Sequence, residues 1–197
     1  MTQAKPRFRT IEEYLDYDDG TDTRYELVDG ELVELPTESW DAGTISLYLL
    51  AQLLSFVPFY LIRHKDTEIT VTGASAKARI PDLMVVTETT AIAMTGQKGL
   101  IPLTTQPPIF VVEVVSPGKP GEDNYERDYV EKPKEYAARG IPEFWQIDPN
   151  EGRDVVIVLT LKDGAYQSRE FRGSEKVVSP TFPDLQLTAD QILRAGR

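Results

Sequence analysis

Residues 108–115 read PIFVVEVV, and this stretch decides the fold class of the chain. Apart from Glu113 it is apolar throughout and rich in β-branched residues. That composition is typical of a central strand covered on both faces, whereas a strand with one wet face would alternate apolar and polar residues. The stretch therefore predicts a sheet with a covering layer on each side.

Further strands are predicted on both sides of this one. Residues 24–35 (RYELVDGELVEL) alternate well enough for two strands. Between them Asp29-Gly30 is typical of a two-residue hairpin turn, in which both positions need positive φ. The other predicted strands are 60–71, 78–87, 143–149, 153–161 and 165–171.

Helical segments separate these strands. Residues 9–18 predict a short helix with Thr10 as its N-cap, and residues 43–57 predict a largely buried helix. Residues 125–139 predict a third helix, and Thr188 caps a short one near the C-terminus. Residues 88–107 are predicted as a helix and a loop. This order predicts an α/β (α+β) fold with a mixed central β-sheet flanked by helices.

We expect a single domain over residues 1–197, because no linker long or polar enough to divide the chain is visible. The formal net charge is −11. Residues 1–41 hold twelve acidic and four basic side chains, a balance of −8, and this acidic helix and hairpin should pack on the core. The acidic balance argues against an obvious nucleic-acid binder without excluding one.

Composition also excludes several kinds of site. The chain has no cysteine, which excludes a disulfide scaffold, a thiolate zinc site and a cysteine nucleophile. No phosphate-binding glycine loop or esterase nucleophile elbow is present. The single histidine, His64, is most simply a surface or hydrogen-bonded structural residue. Without a membrane span or secretory signal, we expect a cytoplasmic protein that does not contact membranes.

Two carboxylates are the better candidates for chemistry. Asp82 lies at the entrance to an apolar run, and Glu113 lies inside the central strand, where an ionised carboxylate is costly unless it is paired or bound to metal. Either Glu113 pairs with a basic side chain or reaches water, or the two carboxylates hold a hard cation such as Mg²⁺. A lysine nearby would complete a hydrolytic site. The position two residues after Glu113, where such a lysine is expected, is Val115, so the nearest candidate is Lys132 on the following helix.

Several motifs of the chain together resemble a known family. They are Ile80-Pro81-Asp82, 112–118 (VEVVSPG), Arg127-Asp128-Tyr129 followed by Lys132 and Glu135-Tyr136, 140–145 (GIPEFW) followed by Asp148-Pro149, the hairpin 25–32 (YELVDGEL), and the ending Ser179-Pro180 with Phe182-Pro183-Asp184-Leu185. In combination they closely resemble the bacterial restriction-endonuclease-like (Uma-two) family of the PD-(D/E)XK nuclease superfamily, over about residues 24–190.

The resemblance implies a restriction-endonuclease-like core and Mg²⁺-dependent hydrolysis of DNA, with Mn²⁺ as a substitute cation. Asp82 and Glu113 match the two acidic residues of the family's motifs, which bind the metal ion. Lys132 matches a catalytic lysine that has moved to the following helix. Glu26 matches an acidic position of the N-terminal hairpin and is a fourth candidate site residue; its alternative is one more solvated carboxylate on an acidic hairpin.

The neighbourhood of Lys132 leaves the direction of its side chain open. Pro133 follows it directly, and a proline disfavours helical geometry at the residue before it. The helix therefore either begins at Pro133 or is kinked there. Asp128 lies four residues before Lys132 and should pair with it if the turn between them is helical.

Two functions remain open at this point. The first is a Mg²⁺-dependent endonuclease that acts on DNA, with a homodimer as a further prediction. The second is a catalytically silent protein of the same fold that acts as a binding or protein-interaction module. The acidic balance favours the second, because a nuclease must neutralise several phosphates with lysine and arginine.

Overall fold

The computed structural model describes residues 6–18, 20, 25–34, 37, 39–74 and 77–196. The predicted hairpin ends at residues 24 and 35 lie outside these ranges. The helices are α1 (Ile11–Leu15), α2 (Trp40–Leu53), α3 (Glu88–Ala93), α4 (Asp123–Glu126), α5 (Lys132–Arg139) and α6 (Ala189–Leu193). The strands are β1 (Tyr25–Val28), β2 (Glu31–Glu34), β3 (Ile62–Arg63), β4 (Glu68–Thr70), β5 (Ala78–Arg79), β6 (Leu83–Val85), β7 (Leu100–Ile101), β8 (Phe110–Val114), β9 (Glu143–Asp148), β10 (Val155–Lys162) and β11 (Ala165–Phe171).

The strands form two mixed sheets. Sheet A has the order β2-β1-β5-β4-β7, with β4 and β7 as its parallel pair. Sheet B has the order β11-β10-β9-β8-β6-β3, with β8 and β9 as its parallel pair. The predicted mixed α/β class is thus found, but the strands are divided between two sheets where the sequence indicated one.

Strand β8 is the central strand expected from residues 108–115. All five of its residues are buried, and so are all six residues of its neighbour β9. On one face of this pair, Phe110 packs edge to face against Trp145 and Phe182. On the other face, Tyr136 of α5 packs edge to face against Phe144. Any polar side chain that β8 carries is therefore enclosed by a neighbouring layer.

The N-terminal hairpin forms as predicted and belongs to sheet A. Asp29 and Gly30 have φ values of 47° and 84°, the left-handed geometry that a two-residue turn requires. A side chain at Gly30 would meet the carbonyl oxygen of Phe8 at 2.3 Å, so only glycine fits there. The hairpin packs over a second, smaller core made of Phe8, Leu27, Leu32, Ala78 and Leu100.

Two predicted strands are broken where the chain passes between the sheets. Residues 60–71 divide into β3 of sheet B and β4 of sheet A, because the backbone turns at Lys65, whose φ is 57°. Residues 78–87 divide into β5 of sheet A and β6 of sheet B around Pro81, which cannot donate a ladder hydrogen bond. Strand β7 lies in the segment 88–107 that was predicted as a helix and a loop.

Side-chain caps set the starts of four helices. Thr10 caps α1, Thr87 caps α3, and Thr188 caps α6 in a complete capping box. Ser39 caps α2, which begins at Trp40, three residues before its predicted start. None of the helices in the described ranges is long and apolar enough to span a membrane.

Candidate active site

The register of β6 on β8 brings the two predicted carboxylates together. Leu83 pairs with Val112 in this antiparallel ladder, and Asp82 is the residue just before β6. This register brings Asp82 close to the end of β8 that carries Glu113. The two acidic side chains are near enough for the negative charge of Asp82 to raise the pKa of Glu113.

Glu113 is buried, and both of its carboxylate oxygens have a partner. The hydroxyl of Tyr136 donates to Oε1 at 2.5 Å, and the ammonium of Lys132 lies 2.9 Å from Oε2. Of the explanations left open by the sequence, pairing with a basic side chain is therefore present in the structure. Lys132 is the lysine that sequence analysis had singled out, so these two candidate residues are in direct contact.

Asp82 lies just before β6 and is also held at both oxygens. Its Oδ2 accepts the backbone N–H of Val114 at 2.7 Å, which fixes the carboxylate to β8 one residue beyond Glu113. Its Oδ1 lies 3.3 Å from Nζ of Lys65. Each of the two acidic candidates is thus accompanied by one lysine.

A distorted helix carries Lys132 into the site. Residues Asp123 to Arg139 are helical without interruption, and a π-helical segment, Arg127–Glu131, separates α4 from α5. Lys132 is the first residue of α5 and Pro133 the second, so the helix does not begin at the proline. The proline ring would clash with the carbonyl four residues before it, and the widened π turn lies at that place.

Asp128, in the π segment, fixes the ammonium of Lys132 from the other side. Its Oδ1 lies 3.2 Å from Nζ of Lys132, which confirms the pair predicted from their spacing. Its Oδ2 accepts the backbone N–H of Ser116 at 3.0 Å, and Arg127 also contacts the carboxylate. The ammonium therefore lies between two carboxylates, those of Asp128 and Glu113.

Burial and charge shift the pKa values of these groups in opposite directions. Burial raises the pKa of Glu113 to about 7; Lys132 opposes this increase, and the negative charge of Asp82 adds to it. Burial would also raise the pKa of Asp128, but Lys132 and Arg127 hold it below its ordinary value. Burial disfavours the charged form of Lys132, yet Glu113 and Asp128 raise its pKa. Lys132 is therefore a permanent ammonium near neutral pH.

The raised pKa of Glu113 predicts a pH-dependent stability. The folded chain holds this proton more tightly than the unfolded chain, where the pKa is about 4.5 and not about 7. Its stabilising contribution is thus complete below the lower value and is lost as pH rises through the higher one. Relative to Glu113→Gln, the wild-type free energy of unfolding should fall by up to about 1.4 kcal/mol per pH unit in this window.

Urea unfolding of both proteins at intervals from about pH 5 to pH 8 measures this difference. Asp128 and Glu135, whose pKa values are lowered, contribute with the opposite sign in both proteins and cancel in the comparison. A difference between the two proteins that does not change with pH would contradict the raised pKa.

Glu26 is a buried ion-pair partner and not a solvated carboxylate. Its Oε2 accepts a hydrogen bond from Nη1 of Arg79 at 2.9 Å, and only 3% of the residue is exposed. Arg79 also contacts Glu135 through Nε at 2.8 Å and Glu131 through Nη2 at 2.8 Å. Arg79 therefore connects the hairpin to the helix that carries Lys132. Glu26 is linked to that helix by its ion pair with Arg79.

His64 has a structural contact. Its Nε2 lies 3.0 Å from the hydroxyl of Ser46, a fully buried residue of α2 whose hydroxyl also contacts the carbonyl of Gly43. A serine enclosed in this way cannot reach a substrate, so the pair offers no nucleophile. This agrees with the hydrogen-bonded structural role expected from the sequence.

A divalent cation fits the carboxylates of Asp82 and Glu113 in number and in chemistry. Within the described ranges, no three His, Cys, Asp or Glu side chains lie close enough to share a metal ion, so an ion held by Asp82 and Glu113 would have no third ligand of these types from that part of the chain. Mg²⁺ uses one or two carboxylates in proteins and keeps several waters. A cation here would also relieve the repulsion by which Asp82 raises the pKa of Glu113.

Sequence analysis missed Tyr136, Lys65 and Arg79 as residues of this region. Tyr136 lies four residues after Lys132 and hence on the same helical face, a signal that could have identified it. Lys65 and Arg79 gave no comparable signal, because their partners come from distant parts of the chain.

Comparisons with known proteins give a family and a shared fold for this chain. The family model described as "Uma2: Putative restriction endonuclease" matches residues 11–190. A search of curated proteins found no match. Among solved structures, a protein from Anabaena variabilis described as "a putative nuclease belonging to DUF820" is 18% identical to this chain and has a TM-score of 0.68. The match covers 95% of this chain and 99% of that one, which shows a shared fold.

Proposed function

Because the chain belongs to the family described as "Uma2: Putative restriction endonuclease", we propose that it is a divalent-metal-dependent endonuclease that hydrolyses DNA phosphodiester bonds. The family resemblance and the nuclease fold read from the sequence motifs are confirmed by this match and by the structural neighbour. The metal ion, the DNA substrate and the residue roles that follow are the proposal.

One observation carries the proposal. Asp82 accepts the backbone N–H of Val114, the residue after Glu113, and Lys132 lies 2.9 Å from the carboxylate of Glu113. Two neighbouring carboxylates and an ammonium form a set that can hold a cation and offset charge developing on a phosphate group.

Each residue has a distinct role in the proposal. Asp82 and Glu113 would hold Mg²⁺, or Mn²⁺ in its place, and the bound cation would polarise a phosphate oxygen and lower the pKa of a coordinated water. Lys132 stays protonated, so it acts by its positive charge and by orienting Glu113, not by accepting a proton. Glu26 acts through Arg79, which holds the helix that carries Lys132.

The alternative is a silent protein of the same fold that binds a partner without cleaving DNA. It is favoured by the formal net charge of −11, which opposes binding to a polyanion. That two copies act together on the two strands stays a prediction. Cleavage assays separate the two functions, because the silent protein does not nick DNA at any metal concentration.

Replacing Lys132 with methionine should slow plasmid cleavage about 100-fold or more, because the charge beside Glu113 is lost. The assay compares wild type, Lys132→Met and Lys134→Met at saturating Mg²⁺, with rates expressed per folded molecule. Lys134 lies on the same helix and has no part in the site, so Lys134→Met should cleave as wild type does. Equal rates for all three proteins would indicate a contaminating nuclease and refute the role of Lys132.

A further inference from the structure

Lys65 occupies a backbone geometry that a long side chain rarely adopts. Its φ is 57°, in the left-handed region, where a non-glycine residue is strained. The other described non-glycine residues with positive φ are three aspartates and an alanine, so Lys65 is the one with a long charged side chain in the part of the chain that the structure describes.

The side chain of Lys65 points to the candidate metal ligand. Its ammonium lies 3.3 Å from Oδ1 of Asp82, and both side chains are mostly buried, with 12% and 19% exposed. The turn that holds Lys65 links β3 of sheet B to β4 of sheet A, so the lysine approaches Asp82 from the junction of the two sheets. The ammonium of Lys65 therefore lies beside an oxygen of Asp82 that would be a ligand in the proposed metal site.

Each lysine of the site has other carboxylates nearby besides the candidate metal ligand. Lys132 is fixed by Asp128 as well as by Glu113, and it can keep Asp128 when Glu113 binds another cation. Lys65 lies beside a cavity of about 270 Å³ that is also lined by Asp66 and Glu68. A flexible lysine stem can therefore swing away from Asp82 and bring its ammonium to other carboxylates.

We propose that Lys65 is the counter-ion of Asp82 in the metal-free site, that a divalent cation displaces it, and that this competition sets the metal concentration at which the site fills. The inference rests on the proposed metal site and concerns this lysine alone. The ammonium and the cation compete for one carboxylate oxygen, and like charges so close together repel each other strongly. Removing the ammonium should therefore tighten metal binding.

Lys65→Gly tests this inference, because glycine adopts a φ of 57° without strain. Mn²⁺ titrations followed by calorimetry and by the melting temperature should show an affinity about tenfold higher than that of wild type. Lys65→Gln, which keeps the length of the side chain and removes its charge, should show the same increase. Lys65→Arg, which keeps the charge, should bind Mn²⁺ as wild type does.

Two controls isolate the charge. Asp163→Gly relieves a similar left-handed backbone, φ 51°, in the β10–β11 turn, and should leave Mn²⁺ affinity unchanged. Asp82→Asn in the Lys65→Gly background should abolish the tight binding. Unchanged or weaker Mn²⁺ binding in both Lys65→Gly and Lys65→Gln would overturn the proposal.

The outcomes for Lys65 and for the nuclease function are separable. A wild type that cleaves DNA while the Lys65 variants bind Mn²⁺ no more tightly refutes the role of Lys65 alone. Tighter Mn²⁺ binding in the variants of a protein that never cleaves supports the role of Lys65 and refutes the nuclease. Absence of Mn²⁺ binding in every protein refutes both.

Discussion

Glu113→Gln is expected to reduce Mg²⁺-dependent plasmid cleavage by about 10³-fold or more, the largest functional effect that the site predicts. Glutamine keeps the size of the side chain and can still accept the hydrogen bond from Tyr136. It carries no negative charge, however, so it is a much weaker ligand for a hard cation. The rate of nicking at saturating Mg²⁺, measured on folded protein, gives the size of the loss.

Glu143→Gln is the matched control for this variant. Glu143 is equally buried, on the adjacent strand β9, but its carboxylate accepts hydrogen bonds from Trp145 and Ser179. Its position in the strand sets it on the face opposite to that of Glu113. The control should lose stability and keep its cleavage rate per folded molecule. Cleavage by Glu113→Gln at the wild-type rate would show that Glu113 holds no catalytic metal ion.

Arg79→Met is expected to lower the free energy of unfolding by about 3–5 kcal/mol and the melting temperature on the order of 10 °C, the largest effect on stability. Arg79 is only 1% exposed, and its guanidinium donates to Glu26, Glu131 and Glu135. Its removal leaves buried carboxylates without their main counter-charge. Urea unfolding measures the change.

Two further variants show whether the loss arises from uncompensated charge. Arg172→Met removes an exposed arginine paired with Glu170, and should change stability by less than about 0.5 kcal/mol. Adding Glu26→Gln to Arg79→Met removes a buried charge that Arg79 had compensated and should recover part of the loss. A stability loss for Arg79→Met no larger than that for Arg172→Met would show that the buried cluster contributes little.

Local patterns were enough to predict the elements that hold the site. The apolar run around Glu113 predicted the buried strand β8, and Asp29-Gly30 predicted the hairpin turn. The spacing of Asp128 and Lys132 predicted their ion pair. These predictions depend on residues that are near one another in sequence, where periodicity and turn chemistry are informative.

Contacts between distant segments could not be predicted in the same way. The division of strands between two sheets depends on the turn at Lys65, which has no distinctive local pattern, and on the break at Pro81. The proline indicates a break, but it does not indicate that the chain passes to another sheet there. Arg79 forms ion pairs with one carboxylate of the hairpin and with two carboxylates that flank Lys132 on its helix. These pairs exist only when the segments are packed together, so the sequence alone does not show them. Glu26 was singled out from the resemblance, and its arginine partner was not foreseen.

The π segment before Lys132 illustrates the same limit. Pro133 indicated that the helix is irregular, and the sequence left a start or a kink as alternatives. The helix instead continues through a widened turn, which keeps Lys132 in α5 and directs its ammonium to Glu113. The geometry of this widened turn depends on how the helix packs against sheet B.

The most direct measurement is the anomalous scattering of Mn²⁺ in crystals soaked near pH 8, above the raised pKa of Glu113. We expect one strong peak within about 2.2 Å of a carboxylate oxygen from Asp82 and from Glu113, with the ammonium of Lys65 displaced from Asp82. A peak bound to one of these carboxylates alone, a peak elsewhere, or no peak at saturating Mn²⁺ would contradict a shared metal ion.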